Sequence, residues 1–306
     1  MKTVILGYHT MGCLGLQALL DHAFKVEAVF THRDDPREEI WWESLADKAR
    51  LSGIPVHYPE GAKDPLVEKE IARIAPDFMF SFYYRYMIPA AVLALAKKGA
   101  LNLHGSLLPR YRGRAPVNWV LVNGETETGA SLHYMTAKAD AGDLVDQERV
   151  AIAHEDTAFT LYKKLEIAAR RLLDRALPSL REGTTKGLPM DLKAGSYFGG
   201  RKPDDGTFDW TWPAEKIYNL IRAVTHPYPG AFTQIRGKKV LVWWAVPLES
   251  AFGATPGAVI ESDRNGVTVA TGSGALRLIT VQPEHGPELP VCTYALLEGI
   301  HKGDHL

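Results

Sequence analysis

Only two cysteines occur in the 306 residues, Cys13 and Cys292, with no CxxC pair and no Cys/His spacing around them. That excludes a disulfide framework and a zinc site of the usual spacing, and no metal is expected. Long apolar runs are also missing. None reaches the ~18 residues of a membrane span, and the N-terminal MKTVILGYH has one lysine, a short apolar run and no export cleavage site. Neither sign of charge is in excess: 35 Lys and Arg against 36 Asp and Glu leave a net charge of −1. No overall basic field therefore draws the chain to nucleic acid or a membrane surface. There is no internal repeat, no low-complexity tract and no G-x-G-x-x-G, so a dinucleotide fingerprint is not supported. These absences predict a cytoplasmic protein with no nucleic-acid partner and no membrane insertion.

What is present is a chain 46% hydrophobic, long enough for two domains or one large one. Residues 3–6 and 25–31 read as apolar strands, and the glycine turn GYHTMGCLG between them opens an amphipathic helix. A plain strand-to-helix turn and a turn whose free N–H groups hold a phosphate are equally open there. Further strands at 77–82 and 101–104 alternate with helices at 66–75 and 88–98, which predicts a doubly wound parallel sheet of Rossmann-like α/β class. Strands at 128–135 and 144–152 precede a long helix that Asp156 or Thr157 could cap. Glycine, proline and charge then rise. Residues 184–209 read as a linker with partial order between a first domain at 1–183 and a second at 210–306. In the second, five short strand-like runs separated by RGKK, DRNG and GSG turns suit a small OB-like β-barrel.

The stretch that points to chemistry is LNLHGSLLPRYRGRAPVNW, residues 101–119. Period-2 alternation puts Asn102 and His104 on one face of a strand end, where α/β proteins place their sites. A lone histidine there is commonly a packed structural residue. An amide donor beside it shifts the reading toward oxyanion stabilisation and proton transfer. Arg110, Arg112 and Arg114 in the following proline-bounded loop fit a solvated loop or an anion site equally well. Asp140, in the polar loop TAKADAGD after a strand, is placed near the sheet's carboxyl edge; near His104 it would orient the imidazole, but spacing does not show that the two meet.

NLHGSLLPRYRG followed by Asp140 in an ADAG loop resembles the 10-formyltetrahydrofolate-dependent formyltransferases, and the likeness runs along essentially the whole chain. MKTVILGYHTMGCLG, FSFYYR, HGSLLPRYRGRAPVNWVLVNGETETG and GRKPDD resemble most the members that formylate UDP-4-amino-4-deoxy-L-arabinose in polymyxin resistance. The resemblance implies Asn102 as oxyanion stabiliser, His104 as the proton-transfer residue and Asp140 as its partner. It also implies folate contacts from Tyr86, Met87, Ile88 and Arg114, and from Thr136, Ala137, Lys138, Ala139 and Asp140. A further expectation is an NAD-dependent decarboxylase domain, whose fingerprint this sequence does not contain. For the sugar nucleotide, the glycine turn (Tyr8, His9, Met11, Gly12 and Cys13) and Arg201 are the candidates.

Two other functions compete. A methionyl-tRNA formyltransferase would share the catalytic set but should carry a strongly basic surface, and the basic and acidic residues from Ala214 onward balance. A non-catalytic OB-type module could use Trp210, Trp212, Trp243 and Trp244 as a stacking platform, though packing is the stronger reading of those tryptophans.

Overall fold

The structure, a computed structural model, describes residues 1–36, 38–250 and 253–306. The chain divides into two compact units, one of residues 1–116, 127–152 and 162–199, the other of 117–126, 153–161 and 200–306. In the first unit, β1 (Lys2–Gly7) leads into α1 (His9–Asp21), and β2 (Lys25–Phe30) is followed by α2 (Leu45–Leu51). Next come β3 (Val56–His57), α3 (Pro65–Ile74), β4 (Phe78–Phe82), α4 (Ala90–Leu93) and β5 (Gly99–His104). The chain continues through β6 (Arg112–Gly113), α5 (Pro116–Val122), β7 (Glu127–Tyr134), β8 (Leu144–Ala151), α6 (Ala158–Glu182) and β9 (Tyr197–Phe198).

Seven strands form one sheet in the order β3-β2-β1-β4-β5-β7-β8. The first five are parallel, as the alternation of strands and helices predicts. β7 and β8 instead run antiparallel, β7 to β5 and β8 to β7. The 135–143 loop between them is too short for the crossover that a parallel pair needs. Helix α1 lies close on the sheet because Gly15 has no side chain: a Cβ there would sit 2.4 Å from the Phe82 ring. Gly7 and Gly12 likewise give room to Leu45, whose Cδ2 would be 2.9 and 2.8 Å from their added Cβ atoms. Packing thus accounts for the glycines of this turn.

The expected helix over 88–98 shrinks to α4. Lys97 and Lys98 donate their N–H groups to the carbonyls of Pro76 and Asp77, which draws the chain into the sheet beside β4. On α6 the Thr157 hydroxyl accepts from the N–H of Thr160, as an N-cap does. The α6 stripe of Leu161, Leu165, Ala168, Leu172 and Leu173 is buried, as its periodicity predicts.

The second unit holds α5 from Val117 onward, α7 (Ala214–Val224), β10 (Ala231–Ile235), β11 (Lys238–Leu248), β12 (Val259–Asp263), β13 (Gly266–Ala270), β14 (Ala275–Pro283), β15 (Leu289–Pro290) and α8 (Val291–Glu298). Its strands form an antiparallel sheet in the order β10-β11-β14-β13-β12, with β15 on β14. The four tryptophans are engaged internally. Trp210 and Trp243 are buried, Trp243 stacks on His226 at 3.7 Å, Trp212 faces the Lys216 ammonium and Trp244 meets Tyr218 edge-on. That arrangement is packing, not an open platform. Among the described residues no helix is long and apolar enough to cross a membrane.

Candidate active site

The site is built on β5. Alternation along that strand turns Asn102 and His104 to one side, and the side chains of both reach Asp140. Asn102 Nδ2 donates to Asp140 Oδ1 at 3.2 Å, and His104 Nδ1 lies 3.6 Å from the same oxygen. Asp140 stands beside His104 at the end of β5, but not by the direct route the sequence suggests. β7 is antiparallel to β5, so its end at Tyr134 lies opposite Leu101, and the 135–140 segment must fold back to bring Asp140 to Asn102 and His104. The turn is sharp, and Asp140 takes a left-handed backbone conformation (φ +47°) that aspartate tolerates better than most residues.

Backbone groups complete the site. His104 Nε2 lies 2.7 Å from the carbonyl oxygen of Tyr111. A carbonyl only accepts, so Nε2 carries the proton there and Nδ1 is the nitrogen left for chemistry. Asp140 Oδ2 accepts from the Gly113 N–H at 2.8 Å. The side chains of His104 and Asp140 are only 7% and 11% exposed, so the carboxylate acts with little solvent screening. Burial alone would raise the Asp140 carboxyl. His104, His133 and the Gly113 N–H outweigh it and hold the group well below the usual carboxylate range.

His133 is a member that sequence reading passed over. It pairs across the ladder with Asn102, its Nε2 lies 3.2 Å from Asn102 Nδ2 and 3.4 Å from Asp140 Oδ1, and its Nδ1 meets the Tyr134 carbonyl at 2.8 Å. Its Nε2 thus stands between the Asn102 amide and the Asp140 carboxylate and helps to orient both. The signal available in the sequence was the polar alternation of β7, which places His133 and Ser131 on one face.

Three loops meet around Gly113. Arg114 Nη2 donates to the Arg85 carbonyl at 3.1 Å, tying the 85–88 segment to 113–114, while Asp140 ties the 136–140 loop to Gly113. Tyr86 is half-buried, Met87 is 52% exposed and Ile88 is buried. Arg114 and Thr136–Lys138 are exposed, with the Thr136 hydroxyl and Lys138 closing a local turn. An apolar thioether, exposed backbone groups and a guanidinium around a buried carboxylate suit a flat heteroaromatic ligand with an anionic tail.

A model of the formyl transferase family matches residues 1–177, and the model of the formyl transferase C-terminal domain matches residues 201–296. The chain belongs to the formyl transferase family. Solved structures of similar fold include the sugar 3N-formyltransferase WlaRD, crystallised with dTDP and 5-N-formyl-THF, at 20% identity and a TM-score of 0.70 over 91% of this chain and 97% of that one. An N-formyltransferase from Helicobacter canadensis, in complex with folinic acid and dTDP-3-aminofucose, aligns at 20% identity and a TM-score of 0.68 over 91% and 99%. HypX from Aquifex aeolicus, in complex with tetrahydrofolic acid, aligns at 19% identity and 0.64 over 100% of this chain and 49% of its own.

In this formyltransferase the residues of the β1–α1 turn divide into two groups. Met11, Gly12 and Cys13 are buried, and the Cys13 thiol contacts the Glu43 carbonyl at 3.7 Å, so the helix interior holds them. Tyr8 and His9 instead enter an aromatic cluster. His9 stacks on Trp42 at 4.4 Å, meets Trp41 edge-on at 4.6 Å and contacts the Tyr162 hydroxyl through Nδ1 at 2.6 Å. Burial, with Arg85 and Lys163 adding to it, lowers the His9 imidazole to about 3. The Tyr8 hydroxyl donates to Asp34 at 2.5 Å, and the Arg85 guanidinium lies over the Tyr8 ring while pairing bidentately with Glu38. Arg201 belongs to the second unit, where it lies over Trp119 at 4.7 Å. Among the described residues no group of three or more His, Cys, Asp and Glu is arranged to hold a metal.

Proposed function

We propose that this formyltransferase moves a formyl group from 10-formyltetrahydrofolate to the 4-amino group of UDP-4-amino-4-deoxy-L-arabinose, in the cytoplasmic step of lipid A modification that gives polymyxin resistance. The observation that carries the chemistry is the convergence of Asn102 Nδ2 and His104 Nδ1 on one oxygen of Asp140. The donor supplies an activated formyl carbon. Asn102 stabilises the negative charge that develops on the formyl oxygen when the sugar amine attacks, a role worth ~3–4 kcal/mol for a well-placed donor. His104 Nδ1 takes the proton from the attacking amine and returns it to the departing nitrogen, and Asp140 stabilises the imidazolium between those events. Tyr86, Met87, Ile88, Arg114 and Thr136–Asp140 contact the folate in this reading, and Tyr8 and His9 contact the sugar nucleotide.

A sugar nucleotide is favoured over tRNA by the charge pattern of the second unit. There Arg236, Lys238, Lys239 and Arg277 pair with Asp304, Glu298, Glu284 and Glu261, so these cations are neutralised locally. The likeness to enzymes crystallised with dTDP or a dTDP-aminosugar supports the same choice. Mass spectrometry after incubation with donor and UDP-4-amino-4-deoxy-L-arabinose, dTDP-3-aminofucose or methionyl-tRNA tests it. A formyl mass gain on the UDP sugar alone supports the reading. Gain on either of the others alone would replace the substrate, and no gain on any would sink it.

A further inference from the structure

We propose that residues 187–198, outside the helices and strands that carry the catalytic side chains, form a strap that fixes the catalytic geometry, with Ser196 as its positioning residue. The inference rests on the formyl-transfer reading and deepens it. Strand β6, with Tyr111 before it and Arg114 after it, has two edges with different partners. On one edge, the Tyr111 carbonyl receives His104 Nε2 at 2.7 Å and the Gly113 N–H holds Asp140 at 2.8 Å. On the other, the Tyr111 N–H donates to Ser196 Oγ at 2.8 Å, the Arg112 N–H to the Ser196 carbonyl at 3.0 Å and the Arg114 N–H to the Phe198 carbonyl at 3.0 Å. The same short strand thus ties both catalytic partners to the strap.

Tyr111 needs such a hold. Its φ of +58° lies in the left-handed region, which a bulky aromatic residue rarely adopts. Ser196 bonds its N–H, and the Phe198 ring stacks on the Tyr111 ring at 5.1 Å and 10°. The Arg112 side chain offers no alternative anchor: its Nε and Nη1 are buried and make no hydrogen bond. Close backbone approach seals the contact. A Cβ on Gly195 would sit 2.1 Å from the Pro109 carbonyl oxygen, and one on Gly113 2.1 Å from that of Phe198. Further back, Leu188 exchanges both backbone hydrogen bonds with Leu144 at 2.8 Å, just beyond the loop that carries Asp140. One segment therefore secures the loops on both sides of the catalytic cluster.

Ser196→Ala removes one bond from the Tyr111 N–H and leaves the two strap carbonyls in place. The expected result is a fall in kcat of about tenfold, the rate equivalent of one lost net hydrogen bond. The affinity for 5-formyltetrahydrofolate, measured by calorimetry, stays within about twofold, and Ser196→Thr restores the rate. Long-range ¹⁵N-histidine NMR should show His104 as a single Nε2–H tautomer in the wild type and as a mixture in Ser196→Ala. Phe198→Leu, which removes the stack alone, should lower kcat in the same direction and serves if the first variant does not fold. Unchanged kcat with an unchanged tautomer would overturn the strap, as would equal losses in kcat and folate affinity. If the wild type transfers no formyl group, the functional reading fails, and the tautomer comparison still decides whether the strap positions His104.

Discussion

Replacing Asp140 by Asn tests the electrostatic core of the site. His104 Nδ1 and Asp140 Oδ1 are 3.6 Å apart, and both side chains are nearly buried. At an effective dielectric of ~20, a charge pair at that separation is worth about 5 kcal/mol. The pair exists only while His104 carries the amine's proton, so the loss falls on the transition state and not on substrate binding. An asparagine can still accept from Gly113 through its oxygen. Its NH2 then stands where Oδ1 accepted from the Asn102 amide, so that hydrogen bond is lost as well. Asp140→Asn should therefore lower kcat roughly a thousandfold. Steady-state kinetics at saturating donor and acceptor, with folate affinity measured separately by calorimetry, reads the effect. Loss of less than tenfold would refute the assignment of charge stabilisation to Asp140. A matching loss of folate affinity would recast the residue as a binding group.

Two further predictions concern stability. His9 titrates at about 3 in the folded protein against 6.5 unfolded, and His32 at about 4. For a base with a depressed pKa the unfolded state binds more protons below 6.5, so stability falls as pH drops from there toward 3 or 4. Between pH 7 and pH 5 each histidine should remove about 2 kcal/mol, while Asp140 loses its contribution only below about pH 4. Urea titrations at the two pH values check this, and a wild-type midpoint that does not move, or a slope unchanged in His9→Phe, refutes it. Gly15→Ala sets a gain of about 1 kcal/mol in helix propensity against overpacking of about 1–3 kcal/mol. The Phe82 ring is fully buried and stacked on Phe80, so it has no room to yield and the melting temperature should drop; a rise would show that the sheet gives way.

The features that sequence reading recovers are those carried by side-chain periodicity. Alternation along β5 is enough to place Asn102 and His104 together, and the apolar runs of β1, β2 and β4 give the parallel half of the sheet. Contacts between distant segments are not periodic. Spacing leaves open whether Asp140 meets His104, because its strand runs antiparallel and the loop doubles back. The contribution of His133 is a cross-strand one that appears once β7 is in register with β5. Residues 184–209 have no apolar period at all. Their glycines and charges read as linker, yet β9 and Ser196 lie within them.

A physical reason underlies the silence of the sequence about Ser196. The atoms that orient His104 and Asp140 are a carbonyl and an N–H, which nearly every residue possesses, so the identities of Tyr111 and Gly113 need not announce the role. What selects residues at these points is conformation and space. Gly113 has φ +100° and no room for a Cβ, Gly195 has no room either, and Tyr111 sits left-handed beneath an aromatic neighbour. Glycines and strained residues flanking a polar strand end are therefore a better pointer to a backbone-built site than its charged residues are. Here Arg112, charged and central in the motif, leaves two nitrogens buried without a partner, while its backbone links the catalytic edge to the strap.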